Sequence, residues 1–215
     1  MNYLKFLLLL TSIACFSCDG RVKLYDKGAQ FIAIQPFEEI DTNELNLAKT
    51  AIETFYGYDV TILEPIDLPK EFLSQSKKRY RSAKLLPHLR SKRPNEFDKI
   101  IGMTKADIAS SSRKENNHPI IAKSDRSGPA SVISSFRIRK NAKSKSEFEA
   151  RLRKVVIHEV GHTLGLPHCT EDESCLMVDN GSSYKKLDGL KEQFCTKCSN
   201  KLGWKETNGQ DTVMK

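Results

Sequence analysis

One eleven-residue stretch constrains this chain more than any other part of the sequence. It runs His158-Glu159-x-x-His162-x-x-Gly165-x-x-His168 and fixes five positions in eleven. Residues four apart lie on one face of an α-helix, so the side chains of His158 and His162 can reach a single ion. Gly165 is suited to end the helix, because glycine adopts a backbone conformation that other residues avoid. The chain can then turn and bring His168 to the same ion.

Three protein nitrogens leave one position of a tetrahedral zinc ion free, which is typical of a catalytic zinc site. Glu159 is rotated about a quarter-turn from His158, so its carboxylate can contact a water at the free position without ligating the ion. Zinc lowers the pKa of its water to about 7, and a nearby carboxylate can then take the proton. The motif predicts a catalytic zinc on His158, His162 and His168, with Glu159 as the general base.

Four cysteines follow the histidine motif, namely Cys169, Cys175, Cys195 and Cys198. The last two form a C-x2-C pair, and the first two form a looser pair upstream. Two thiolate pairs can close a tetrahedral structural zinc site. In an exported protein two disulfides are the competing interpretation, but a two-residue gap makes a strained loop for a disulfide, which favours zinc. A redox dithiol at Cys195 and Cys198 is a third, poorer interpretation, since no thioredoxin-like surroundings are present.

The first eighteen residues are typical of a targeting segment. Lys5 precedes a short apolar run, Phe6–Ala14, whereas a membrane-spanning helix needs about 20 apolar residues. Such a run is the apolar region of a secretory signal peptide. Ser17 before Cys18 resembles the processing site of bacterial lipoproteins, in which the cysteine is acylated. We expect lipidation at Cys18, with Cys15 as the alternative site and plain secretion as the simpler alternative.

Composition limits the remaining classes of protein. With 39% apolar and 29% charged residues and a mean hydropathy of −0.48, the chain is neither a polytopic membrane protein nor a disordered one. The 215 residues fit one main domain. We expect a signal peptide over 1–18, a linker over 19–30, the domain over 31–205 and a polar tail over 206–215. The net charge of +8 would tolerate nucleic acid, but an exported protein would rarely meet it, so none is expected.

Residues 31 to 63 predict a crossover of strand, helix and strand. Phe31–Phe37 is rich in β-branched and aromatic residues, and Asp59–Leu63 has the same character. Between them, Asp41 and Glu44 have the spacing of a capping box, and Gly57 stands where a glycine would end the helix. Short connections between the three elements favour a parallel pair of strands in an α/β fold.

Four further elements precede or contain the histidine motif. Residues 77–93 hold eight Lys or Arg and no acid, and their apolar spacing predicts a basic, half-buried helix. Lys99–Met103 is a predicted strand. Ala130–Ile138 is predicted to be a strand at the edge of the sheet, because its polar–apolar alternation is weak. A second capping box, Ser146-x-x-Glu149, is predicted to open the long helix that carries the histidines.

The histidine and cysteine pattern resembles the archaemetzincin family, a branch of the metzincin metalloproteases. In that family the third histidine precedes a cysteine; a second cysteine, any residue and a methionine follow, then seventeen residues and C-x2-C. Here the corresponding residues are His168, Cys169, Cys175, Met177, Cys195 and Cys198. The match covers residues 158–198. One difference is that five residues rather than four separate Cys169 and Cys175.

The resemblance implies an α/β (α+β) fold of the metzincin type. It would contain a twisted mixed β-sheet, an active-site helix behind the sheet, and a small C-terminal part stabilised by zinc on the four cysteines. Met177 would be the Met-turn residue that lies beneath the catalytic zinc. An edge strand would line the cleft, where an extended peptide could pair with it. Ala130–Ile138 is the candidate for that strand.

These observations predict a zinc-dependent peptidase with two Zn²⁺ per chain, one catalytic and one structural. The alternative is a non-catalytic, zinc-stabilised binding protein of the cell envelope with the same fold, although Glu159 and all three histidines are present. The expected partners are a peptide or protein substrate and a membrane, reached through an N-terminal lipid anchor. We expect export to the cell envelope, with a soluble secreted or periplasmic protein as the alternative.

Overall fold

The computed structural model describes residues 30–74, 78–111, 116–179 and 183–204. The predicted signal peptide with Cys15 and Cys18, nearly all of the predicted linker, and the polar tail lie outside the described residues. Within the described ranges, no helix has the length and apolar character needed to cross a membrane.

Eight strands and six helices make up the described chain. The strands are β1 (Phe31–Pro36), β2 (Asp59–Ile62), β3 (Tyr80–Arg81), β4 (Lys99–Thr104), β5 (Ile108–Ser111), β6 (Asn116–Ile120), β7 (Ala122–Ser124) and β8 (Ala130–Ser134). The helices are α1 (Thr42–Tyr56), α2 (Ser82–Lys92), α3 (Ser135–Asn141), α4 (Lys145–Thr163), α5 (Tyr184–Gly189) and α6 (Thr196–Lys201), with a 3₁₀ turn at Lys70–Phe72.

The main sheet is mixed and has the order β2-β1-β4-β8-β7. Strands β2, β1, β4 and β8 are parallel neighbours, and β7 pairs with β8 in the antiparallel direction. Helices α1 and α4 share one hydrophobic core with one face of this sheet, and α2 packs in a second core on the other face. A smaller sheet, β3-β5-β6, adjoins α2. The predicted α/β fold with a twisted mixed sheet is confirmed.

The predicted crossover of strand, helix and strand is also confirmed, since β1 and β2 are parallel neighbours on either side of α1. The Asp41 side chain caps α1 by accepting a hydrogen bond from the N–H of Asn43. Gly57 ends the helix in the left-handed conformation, at φ 68°. Glu44 does not complete a capping box, because its carboxylate accepts a hydrogen bond from Arg139.

The prediction that Ala130–Ile138 is one edge strand is wrong. The strand ends at Ser134, whose side chain accepts a hydrogen bond from the N–H of Phe136 and so caps α3. Strand β8 lies between β4 and β7, and all five of its residues are buried. The weak polar–apolar alternation reflects burial on both faces, because β8 is an interior strand with a hydrophobic core on each side. The strand at this edge of the sheet is β7 (Ala122–Ser124), which the sequence pattern did not reveal.

The basic segment forms a helix over Ser82–Lys92 only, and Tyr80 and Arg81 before it form the short strand β3. The long helix α4 begins two residues earlier than predicted, because Ser144 rather than Ser146 is its cap. The Ser144 hydroxyl accepts from the N–H of Glu147, and the Glu147 carboxylate accepts from the N–H of Lys143. Helix α4 ends at Thr163, before Gly165 at φ 100°.

Candidate metal centre

The structure brings the three histidines of the motif to one point. His158 and His162 lie one turn apart on α4, and His168 returns from the loop that follows the helix. One ring nitrogen from each can be chosen so that all three lie within 4.8 Å of one another. His158 and His162 are buried, whereas His168 is exposed and borders solvent. The three imidazoles can hold one metal ion that a substrate could reach.

Two backbone carbonyls fix which nitrogen of each buried imidazole faces the ion. The Nδ1 of His158 lies 2.7 Å from the carbonyl oxygen of Leu176, and the Nδ1 of His162 lies 2.7 Å from that of Leu166. A carbonyl oxygen can only accept, so each Nδ1 carries the proton and each Nε2 keeps a free lone pair. Both rings are thereby oriented to bind metal through Nε2.

Burial keeps the two imidazoles in the neutral form that binds metals. It lowers the pKa of His158 to about 4 and also lowers the pKa of His162. At neutral pH neither ring has to lose a proton before it can bind a cation. The Nδ1 of His168 is 3.6 Å from the Asp179 carboxylate, which can orient the third ring.

Glu159 follows His158 on α4, and its carboxylate is buried beside the histidine cluster. Burial raises its pKa, while neighbouring His162 and a hydrogen bond from Ser124 act in the opposite direction. The hydroxyl of Ser124, on the edge strand β7, donates to one oxygen of this carboxylate. A carboxylate with a raised pKa is a stronger base than an exposed one and holds a captured proton better.

Met177 packs directly beneath α4 and is fully buried. A Cβ placed on Gly161 of the helix would lie only 2.7 Å from the Met177 Sδ, so the close approach requires glycine. The adjacent residue, Leu176, supplies the carbonyl that orients His158. The turn around Met177 is therefore packed closely against the helix that carries the histidines.

The four cysteines form a second cluster whose sulfur atoms all lie within 4.8 Å of one another. All four are unpaired thiols, and the Sγ atoms of Cys169 and Cys195 are 3.6 Å apart. Ligands at the usual Zn–S distance of about 2.3 Å stand roughly 3.8 Å from each other around a tetrahedral ion. The cluster therefore has the dimensions of one four-thiolate zinc site, and the spacing does not match two separate disulfides.

The extra residue between the first two cysteines is absorbed in a turn. The Asp172 carboxylate accepts hydrogen bonds of 2.8 Å from both the N–H and the hydroxyl of Ser174, and the Asp172 carbonyl accepts from the N–H of Cys175. The turn returns Cys175 to the cluster, where the N–H of Cys195 donates to its sulfur. The longer loop thus leaves the four-sulfur arrangement intact.

Burial sets the acidity of these thiols. It raises the pKa of Cys175 to about 11 and also raises the pKa of Cys198. Burial acts in the same direction at Cys169, but hydrogen bonds from the N–H groups of Glu171 and Asp172 outweigh it and lower the pKa. A divalent cation bound among the four sulfur atoms would deprotonate them and offset the repulsion between the resulting thiolates. A divalent soft ion fits such ligands.

Three groups at the site could not have been assigned from the sequence: the Ser124 hydroxyl and the carbonyls of Leu166 and Leu176. Ser124 is a lone serine without a motif, and its position beside Glu159 depends on the order of strands in the sheet. The carbonyls belong to the backbone, so no residue type marks them. Their roles become visible only from the contacts.

Known proteins resemble the chain over the part that contains both clusters. The sequence model of the family described as Peptidase family M54 matches residues 39–204. The archaemetzincin of Haloquadratum walsbyi is 29% identical over 178 residues, covering 80% of this chain and 98% of that protein. The archaemetzincin of Methanocaldococcus jannaschii is 29% identical over 175 residues, with 80% and 92% covered. The crystal structure of the archaemetzincin of Methanopyrus kandleri shares the fold, with a TM-score of 0.68, 23% identity, and 81% and 94% covered.

Proposed function

Because the chain belongs to peptidase family M54, the archaemetzincins, it is a zinc metallopeptidase, and we propose that His158, His162 and His168 hold the catalytic zinc, with Glu159 as general base. The observation that carries this proposal is the convergence of three ring nitrogens, two of them oriented by backbone carbonyls, beside a buried carboxylate. Three ligands leave a position for the reaction, as in catalytic zinc sites.

The protein side of the reaction consists mainly of proton transfer and positioning. When bound, zinc supplies Lewis acidity that polarises a scissile carbonyl and acidifies water. Glu159 accepts the proton of the attacking water on one carboxylate oxygen and returns it to the departing amine. Its burial supports both steps, because a raised pKa suits a group that must first take and then release a proton.

We also propose that an extended peptide substrate pairs with the free edge of β7. Strand β7 is the last strand of the main sheet, and its Ser124 contacts Glu159. An edge strand presents unpaired backbone groups to which an extended chain can add by main-chain hydrogen bonds. A peptide bound there would run past the base and the histidine cluster.

A pair of variants tests the catalytic assignment on zinc-loaded protein with a mixture of quenched fluorescent peptides. Glu159→Gln keeps the size of the side chain, so we expect unchanged zinc content and turnover lower by at least about a hundredfold. His162→Ala should lose both the histidine-bound zinc and the activity. His118→Gln, at an exposed histidine outside the motif, is the control and should behave as wild type. Hydrolysis by Glu159→Gln at the wild-type rate would disprove the role of Glu159.

We propose that Cys169, Cys175, Cys195 and Cys198 hold a second, structural zinc. Four protein ligands close the coordination sphere, so this ion would stabilise the fold and take no part in the reaction. Metal analysis should give two zinc ions per chain, and thiol titration of the unfolded, zinc-stripped protein should find these four thiols free, in addition to any free thiol at Cys15 or Cys18. A single zinc ion together with two disulfides would contradict the proposal.

Finally, we propose that the protein is exported and anchored by a lipid on Cys18. The proposal is supported by Lys5, the apolar run Phe6–Ala14 and the serine before Cys18. In an expressing bacterium, a labelled fatty acid should be incorporated into wild type and Cys15→Ser but not into Cys18→Ser. Labelling lost only in Cys15→Ser would place the anchor on Cys15, and no labelling of the wild type would contradict the lipid anchor.

A further inference from the structure

A single hydroxyl on the edge strand β7 holds the carboxylate of the base Glu159. Ser124, the last residue of β7, donates a hydrogen bond to Oε2 of the Glu159 carboxylate. The Ser124 Oγ also lies 3.2 Å from the backbone carbonyl oxygen of Glu159. A hydroxyl has one proton, and an ionised carboxylate is the stronger acceptor of the two. The proton therefore points to the carboxylate. The other oxygen, Oε1, accepts no hydrogen bond from the described residues.

The register of the sheet explains why the Ser124 side chain reaches Glu159. Ser124 is paired with Ser131 of β8, which is paired in turn with Ile101 of β4. Residues paired across strands point to the same face, and Ile101 belongs to the core that contains α4. Ser124 therefore faces α4, and its hydroxyl contacts Glu159 of that helix.

We propose that Ser124 is a positioning residue for the general base, which rests on the proposed function of Glu159. A glutamate has three rotatable bonds, and a base must keep one oxygen at a fixed place to accept a proton efficiently. Among the described residues, Ser124 is the side chain that donates a hydrogen bond to this carboxylate. It occupies Oε2, so Oε1 is the oxygen that takes the proton from water.

The position of Ser124 on β7 adds a second consequence. If the substrate pairs with the free edge of β7, the backbone that aligns the peptide also carries the hydroxyl that aligns the base. Strand β7 would then hold both the peptide backbone and one oxygen of the Glu159 carboxylate. Replacement of the hydroxyl leaves the backbone of β7 able to pair with the peptide, so it should impair turnover more than substrate binding.

Three substitutions in the full-length, zinc-loaded protein test the proposal. Ser124→Ala should lower kcat about tenfold or more, as expected for loss of a hydrogen bond to a charged group, while KM changes by less than about twofold. Ser124→Thr supplies the same hydroxyl on a residue suited to strands and should recover most of kcat. Ser131→Ala is the matched control on the neighbouring strand. Its hydroxyl is buried without a hydrogen-bond partner among the described residues, so kcat should stay at the wild-type value.

Crystal structures of the zinc-loaded wild type and Ser124→Ala give a readout that does not depend on turnover. We expect the Glu159 carboxylate in one orientation in wild type and in a displaced or divided orientation in Ser124→Ala, with the histidine-bound zinc retained in both. Wild-type kcat in Ser124→Ala, a rise in KM alone, loss of zinc from that variant, or failure of Ser124→Thr to recover kcat would each overturn the proposal. An inactive wild type would instead refute the proposed function, and the crystal structures would still test the contact.

Discussion

At the scale of single residues, the catalytic helix depends on a glycine that the histidine motif leaves unspecified. Gly161 lies between Glu159 and His162, where an alanine would favour a helix by about 1 kcal/mol. The Met177 sulfur occupies the space that a Cβ would need, and Met177 is fully buried and cannot swing into solvent. Packing therefore opposes helix propensity at this position. The difference between the two decides whether a substitution of Gly161 raises or lowers the stability of the protein.

We expect Gly161→Ala to lower the free energy of unfolding by about 1–3 kcal/mol, because overpacking a full core outweighs the gain in helix propensity. Urea unfolding of the zinc-loaded protein measures the change. Gly189→Ala, at the last residue of α5, is the control, since a Cβ there meets nothing within 4 Å, and it should raise stability by up to about 1 kcal/mol rather than lower it. Equal or greater stability of Gly161→Ala would show that Met177 moves aside.

At the scale of elements, one loop links the two metal clusters. Cys169 follows His168 directly, and its N–H donates to the carbonyl of Met177 at 2.8 Å. Cys175 is followed by Leu176, whose carbonyl orients His158. The cysteine cluster therefore fixes both ends of the segment that completes the histidine cluster.

Loss of the cysteine site should weaken the histidine site. We expect Cys198→Ser to lose one zinc ion and to lower the affinity of the histidine site for zinc about 10- to 100-fold, because the Leu176 carbonyl is no longer held in place. Competition with a calibrated chelator measures this affinity. Lys197→Ala, an exposed change in the same helix, should leave both zinc sites unaffected. Unchanged histidine-site affinity in Cys198→Ser would show that the sites are independent.

A buried arginine attaches α5 to α4. The Arg151 guanidinium donates to both oxygens of Asp188, at 2.7 and 2.6 Å, and to Glu147 at 2.7 Å, and its carbon lies 4.9 Å from the centre of the Tyr184 ring. These contacts fix the segment that follows the turn around Met177.

We expect Arg151→Ala to cost about 3 kcal/mol of stability, the lower end for breaking a buried ion pair, because Asp188 is partly exposed. Arg153→Ala, on the same helix, removes a more exposed arginine that pairs with Glu192 and should cost about 1 kcal/mol or less. Chemical denaturation of both variants compares them. Equal losses would show that burial of Arg151 adds nothing.

At the scale of the whole molecule, both clusters rest on one continuous core. The core beneath the sheet contains residues of α1, α4 and α6 together with the turn around Met177. An aromatic cluster joins the C-terminal part to α1, with ring centres 4.9 Å apart between Phe55 and Phe194 and 5.7 Å apart between Phe194 and Trp204. Changes in the charge of buried groups near the site therefore affect the stability of the whole molecule.

Acid should destabilise the protein once the histidine-site zinc has been removed by a mild chelator. The folded-state pKa of His158, about 4, lies below its ordinary value of 6.5, so the unfolded chain binds the extra proton first. Above about pH 6.5 the ring is neutral in both states and costs no stability. As the pH falls from about 6.5 to about 4 the protein loses stability, and the loss reaches about 3 kcal/mol. Urea unfolding at several pH values should show a smaller loss in His158→Gln. An identical loss would mean that His158 is not buried in the neutral form.

The sequence by itself determined what local spacing can determine. The repeat of the α-helix put His158 and His162 on one face, a glycine ended that helix, and strand, helix and strand with short links gave a parallel pair. Each of these depends on residues near one another in the chain. The family resemblance added the methionine and the cysteine spacing, and the structure brings the four sulfur atoms together as that spacing implied.

Only the tertiary structure decided which strand is the edge, what holds Glu159, and how the two clusters are joined. Ala130–Ile138 had the pattern of an edge strand, yet β7 covers its first half and a cap turns its second half into a helix. Ser124 and the Leu176 carbonyl carry no sequence signal, because a serine or a backbone group gains its role from whatever lies across from it. Such contacts join residues 18 to 35 positions apart, and the order and register of the strands determine them.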